Sequence, residues 1–107
     1  MRGAGAGAAT VAYVKGELKT TYAASLNRTW DATLSALKDL RINVYSSKKD
    51  ATEGDIEATK ADGTKVKITF EPAGPDTTSV RIRVGTFGDE EASRVINRQI
   101  APRLGIK

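Results

Sequence analysis

Any chemistry in this chain has to be done without imidazole or thiol, because its 107 residues include no His and no Cys. That removes zinc-finger, haem and CxxC redox sites, and with them every Ser-His or Cys-His nucleophile pair. Carboxylates, amines and guanidinium groups remain. Glu53, Asp55 and Glu57 alternate along one segment. On a strand such residues lie about 7 Å apart, and no loop wraps them around a cation, so they read as solvated strand charges rather than metal ligands. Lys65, Lys67, Arg81 and Arg83 suit phosphates. A single-stranded nucleic acid site on a sheet adds stacked aromatics, however. In the two rows expected on the solvent face, Asn43, Glu57, Lys67 and Arg83 and then Tyr45, Asp55, Thr69 and Arg81, only Tyr45 is aromatic, so no nucleic acid partner is expected. Gly85 and Gly88 bracket Thr86-Phe87 ahead of a helix start, where backbone N–H groups can meet an anion. Asp89 already places a carboxylate there as a cap, so the two glycines read as turn and packing residues. No carboxylate pair lies in an apolar setting that would split its pKa values, and scattered Lys gives no Ser-Lys pair. Catalytic residues, metals and cofactors are therefore not expected.

The elements that must carry these residues follow from composition and periodicity. Seventeen Lys and Arg against 13 Asp and Glu leave a formal charge of +4, which favours solubility and dictates no partner. A content of 39% hydrophobic and 28% charged residues is that of a globular chain, and the length suits one domain. Residues 1–10, with Gly3-Ala4-Gly5-Ala6-Gly7-Ala8-Ala9, read as a flexible leader, and residues 11–107 as a single domain. The leader is no phosphate loop, since no strand precedes it. The uncharged run from Gly3 to Val14 is too short to cross a bilayer, which takes about 20 apolar residues.

Within the domain, β-formers between Val11 and Ala24 predict one strand with a bulge or kink at Gly16. Ser25 then caps a helix on which Leu26, Trp30, Thr33, Leu34, Leu37 and Leu40 recur at helical spacing. Four segments follow with their apolar residues at even positions: Ile42, Val44 and Ser46; Gly54, Ile56 and Ala58; Val66, Ile68 and Phe70; Val80, Ile82 and Val84. Such alternation predicts half-buried antiparallel strands. A three-residue Ala61-Asp62-Gly63 turn pairs Ile56 with Ile68 and Ala58 with Val66, whereas a two-residue turn would put Glu57 on the core face. The same parity sets Val44 against Ile56 and Ile68 against Ile82, with longer loops at Lys48 to Thr52 and Pro72 to Asp76. A second helix follows Asp89, with Ala92, Val95, Ile96, Ile100 and Leu104 as its stripe and a kink or end at Pro102. The predicted fold is α+β: an antiparallel sheet of about five strands with two helices on one face, in the order β-α-β-β-β-β-α, helix-grip-like.

Gly16-Glu17-Leu18, Ser25-Leu26-Asn27-Arg28-Thr29-Trp30, Ser47-Lys48-Lys49-Asp50, Ala61-Asp62-Gly63-Thr64 and Arg83-Val84-Gly85-Thr86-Phe87-Gly88-Asp89 occur in an order and spacing that resembles the bacterial family catalogued as domain of unknown function 3568. The resemblance runs from about Val11 to Leu104. At the level of fold alone, the pattern is also similar to the helix-grip domains of BamC-type lipoproteins. The family resemblance implies a small envelope lipoprotein, with a signal peptide and an acylated Cys ahead of a Gly- and Ala-rich linker; this chain opens Met1-Arg2-Gly3 and has no Cys. It implies location in the bacterial envelope or periplasm, membrane contact only through such an anchor, another envelope protein as partner, and no catalytic residues.

Three functions are weighed on this basis. The first is a non-enzymatic binding or accessory domain that works through the helix–sheet groove or the mixed-charge sheet face. The second is a carrier of a small apolar ligand or lipid, with a cavity lined by Trp30, Phe70, Phe87 and Tyr22. An enzyme using carboxylates or Lys is the third and least supported.

Overall fold

The structure, a computed structural model, describes residues 10–106. The expected leader therefore lies outside the described residues except for Thr10, which opens the first strand. The elements run β1 (Thr10–Val14), β2 (Glu17–Tyr22), α1 (Leu26–Asp39), β3 (Asn43–Lys49), β4 (Gly54–Thr59), β5 (Lys65–Gly74), β6 (Thr77–Val84) and α2 (Glu90–Ile100), with a closing 3-10 turn at Ala101–Leu104. They form the expected α+β fold with one more strand than predicted, a six-stranded antiparallel sheet in the order β1-β2-β6-β5-β4-β3.

The extra strand comes from the segment read as one strand. Lys15 and Gly16 both take positive φ, 52° and 85°, so the chain reverses there instead of bulging. Two residues with positive φ give the turn whose twist matches the strands on either side, and Val14 pairs with Glu17. The turn between β4 and β5 follows prediction: Gly63 has φ 90°, its N–H donates to the Lys60 carbonyl at 2.9 Å, and Ile56 pairs with Ile68 and Ala58 with Val66. Ile68 also meets Ile82 as expected. Val44 does not meet Ile56. An irregularity at Tyr45 puts Val44 opposite Ala58 and Ser47 opposite Ile56, because one extra residue in β3 shifts all that follows by one position.

The two predicted long loops are shorter than expected. Lys48 and Lys49 belong to β3, and the turn after them is held by Asp50, whose Oδ1 accepts from Thr52 N at 2.8 Å and Glu53 N at 3.0 Å. Pro72 to Gly74 continue β5, which leaves Pro75-Asp76 as the connection to β6.

The core lies on one face of the sheet, against the helices. Leu18, Ile56, Ile68, Ile82, Val80 and Phe70 are fully buried there under α1 and α2. Both predicted caps form: Ser25 accepts from Arg28 N at 3.2 Å, and Asp89 from Ala92 N at 3.0 Å. The link from β2 to α1 buries the Ala24 carbonyl, which accepts the Thr78 hydroxyl at 2.8 Å and so does not stay unpaired. α2 is fixed to β2 by the Tyr22 hydroxyl, which donates to Asn97 Oδ1. It ends at Ile100, where Pro102 tightens the chain into the 3-10 turn, and Leu104 and Ile106 close the core beneath it.

Gly88 allows a close backbone approach to Gly16. A methyl group on it would stand 2.4 Å from Gly16 Cα, and its φ is 85°. Gly63 has a similar φ with nothing within 4 Å of its missing side chain, so it isolates the conformational effect from the steric one. Gly88→Ala is expected to lower unfolding free energy by more than about 2 kcal/mol, and Gly63→Ala by about 1 kcal/mol. Urea denaturation of both variants checks the difference.

Burial pushes the Tyr22 phenol well above its usual pKa; the Thr20 hydroxyl beside it opposes the shift without making a well-formed hydrogen bond. The unfolded chain ionises this group near pH 10 while the folded protein keeps the proton, so the stability tied to Tyr22 is complete below pH 10 and falls as pH rises beyond it. Tyr22→Phe should cost about 1 kcal/mol at neutral pH and flatten the alkaline decline, as read from thermal unfolding between pH 8 and 11.

Candidate functional site

The open face of the sheet carries the charges singled out in the sequence. Glu57, Lys67 and Arg83 form one row across β4, β5 and β6, and Asp55, Thr69 and Arg81 the next, continuing to Lys19 on β2. Acids sit on β4 and bases on the strands beyond it. The β3 ends of these rows differ from expectation because of the irregularity: Ser46, not Asn43, is opposite Glu57, and Lys48 is opposite Asp55.

Several of these groups are engaged with neighbours, and no shared site is formed from them among the described residues. The Tyr45 hydroxyl donates to Glu57 Oε1 at 3.1 Å, with Lys65 Nζ 4.8 Å from the centre of the Tyr45 ring. Arg81 pairs with Glu71 at 3.8 Å, an exposed ion pair worth at most about 1 kcal/mol. Arg83 is a structural clasp. Its guanidinium donates to the Thr86 carbonyl and the Lys15 carbonyl, each at 3.0 Å, and so joins the β1–β2 turn to the loop after β6. Among the described residues, no three carboxylates gather where a metal ion could be held.

Of the four residues expected to line a cavity, three fill the core. Tyr22 and Phe70 are fully buried, and the Trp30 ring packs on Phe70 at 5.1 Å between centroids. Gly54 makes room for the indole: a side chain there would begin 2.8 Å from Trp30 Cζ3. Phe87 is elsewhere, 91% exposed on the loop that Arg83 and Gly88 hold in place. The loop crosses Gly16 backbone to backbone, which leaves the Phe87 side chain no core to turn into.

The structure instead opens a groove of about 450 Å³ between the end of α1, the β4–β5 turn and α2, and none of those four residues lines it. Leu40, Ile42, Ala92, Val95 and Ile96 give it an apolar lining; Arg41, Lys60 and Asp62 stand around it. α1 stops here in a Schellman motif, with Arg41 N donating to the Lys38 carbonyl at 3.0 Å and Ile42 N to the Leu37 carbonyl at 2.9 Å. The residue that must then be left-handed is Arg41, with φ 60°, where glycine is the usual choice. Across the groove, the Thr64 hydroxyl and N–H hold the Asp62 carboxyl below the usual carboxylate range. The side chains of Arg41 and Lys60 make no hydrogen bond or ion pair among the described residues.

Sequence reasoning expected a helix–sheet groove as a contact surface but placed Leu40, Val95 and Ile96 on helix stripes and so did not name its lining. The signal was the width of the second stripe. Ser93, Ile96 and Ile100 are the residues of α2 that are buried, which leaves Val95 36% exposed beside them.

Placing Phe87 outside the core and Phe70 inside it leads to opposite expectations for the same truncation. Phe87→Ala should change stability by less than about 0.5 kcal/mol, and Phe70→Ala should cost about 3 to 5 kcal/mol, both measured by urea denaturation.

The family described as Protein of unknown function (DUF3568) has a sequence model that matches residues 1–103. The chain belongs to this family. No curated protein matches it.

Proposed function

We propose, on the premise of that family membership, that the chain is a non-enzymatic binding or accessory domain of a bacterial envelope protein, and that its working surface is the groove between the two helices and the β4–β5 turn. The observation that carries this reading is the groove itself. It exposes apolar side chains of both helices next to two unpaired cations, on a molecule whose other large apolar residues are mostly enclosed. A volume of about 450 Å³ falls in the range of about 300 to 1,000 Å³ typical of sites for small ligands or side-chain anchors. The absence of an enzymatic role is part of the proposal. It is supported by carboxylates that are spread over a solvated sheet face, where Glu57 accepts from Tyr45 and Glu71 pairs with Arg81. The envelope setting and a partner there rest on the family resemblance.

The alternative carrier reading, with a ligand enclosed by Trp30, Phe70, Phe87 and Tyr22, has less support, since three of these pack into the core and the fourth points away from it. A photo-crosslinking residue at position 95 or 61, in the native gene in its own cell, compares the groove with positions 67 and 81 on the sheet face. The expected outcome is a discrete adduct from 95 and 61 and none from 67 and 81. Adducts from the sheet face alone would transfer the function to that surface.

A further inference from the structure

We infer that the groove takes a fatty acid, its alkyl chain along Leu40, Ile42, Val95 and Ile96 and its carboxylate against Arg41 and Lys60. This rests on the groove being the working surface and names what fills it. The charges are the first argument. Arg41 and Lys60 make no hydrogen bond or ion pair among the described residues, whereas Glu90 is paired with Arg94, Glu91 with Arg98 and Asp39 with Arg103, and the ionised Asp62, bonded to its own turn, offsets only one of the two cations. The groove thus joins an apolar lining to an unbalanced positive edge, which complements a molecule with one anionic end. A guanidinium and an ammonium together match a carboxylate, which can accept from both.

Backbone strain gives a second argument. A left-handed conformation strains a non-glycine residue, and the Schellman motif at the end of α1 would form with less strain around glycine. The arginine side chain here makes no hydrogen bond or ion pair among the described residues that offsets that strain. Non-glycine residues held in such conformations cluster at ligand sites as well as in turns such as Lys15-Gly16.

A third argument excludes an extended peptide. The N–H groups of Arg41, Ile42 and Lys60 are already bonded to the Lys38, Leu37 and Thr64 carbonyls. A peptide strand laid there would leave its own backbone groups unpaired in an apolar trough, whereas an alkyl chain has none to satisfy.

The test is a titration of the isotope-labelled protein with decanoate, decanol and decyltrimethylammonium, followed by amide chemical shifts. Decanoate is expected to shift residues 40–42, 60–62 and 92–96, and to bind about five- to tenfold tighter than the other two. Dodecanoate should bind tighter again, by roughly two- to fourfold per added methylene. Arg41→Gly should raise the melting temperature, because the strain is relieved, and should remove the preference for decanoate without changing decanol binding. Val95→Asp should abolish binding of all three, and Lys67→Ala should change none. Equal affinity for the three head groups at those residues would overturn the fatty-acid assignment and leave the groove as a site. Shifts located elsewhere, or none up to the solubility limit, would also overturn it; the groove would then stand or fall by whether positions 95 and 61 crosslink to a protein.

Discussion

Both helices have a single surface to bury themselves against, and that surface is continuous only because four strands agree on which residues face it. Leu18, Ile82, Ile68 and Ile56 stand opposite one another in succession across β2, β6, β5 and β4, all fully buried. In a strand, neighbouring side chains point to opposite faces, so a slip of one residue in any of the three pairings would take one of them out of the row and replace it with a polar group. The turn at Gly63, between β4 and β5, and the Pro75-Asp76 connection, between β5 and β6, are the local means by which the row is kept. The helices, their caps and the groove between them all rest on it.

Parity was the most legible property of the sequence, since even-numbered apolar residues recur through four segments and a charge would be buried in the wrong register. The caps at Ser25 and Asp89 and the stop at Pro102 were also legible, each being a local effect of one side chain on the backbone. The reversal at Lys15-Gly16 was not. Lysine seldom takes φ 52°, and the run of β-formers on both sides of it hides the turn. The irregularity at Tyr45 left no mark either, because an exposed aromatic in an edge strand fits either face.

The candidate site was harder to read than the fold, for a different reason. Its residues come from three stretches separated by tens of positions, and each one looks like an ordinary member of its own element. Leu40 and Val95 count toward helix stripes, and only the assembled packing shows that the stripes are wider than the sheet can cover. Phe87 shows the converse. A large apolar residue after a strand is ordinarily assigned to the core, but the Gly16–Gly88 crossing fixes its loop before the side chain can reach inward.

The clasp made by Arg83 has a mechanical consequence. Among the described residues β1 lies at the edge of the sheet and pairs only with β2, so tension applied at Thr10 would load its hydrogen bonds one after another, starting from Thr10 and Thr21, as a zipper is opened. Peeling of that kind needs little force until it reaches the reversal, where Lys15 is bound to Arg83 and Gly16 is pressed against Gly88. From that point the load passes to β6 in the middle of the sheet, where rows of bonds must shear together. The edge strand would thus act as an extensible lead ahead of a stiff body, giving way under a pull that leaves the groove undisturbed and takes from the core only the flanking contacts of Val11 and Tyr13.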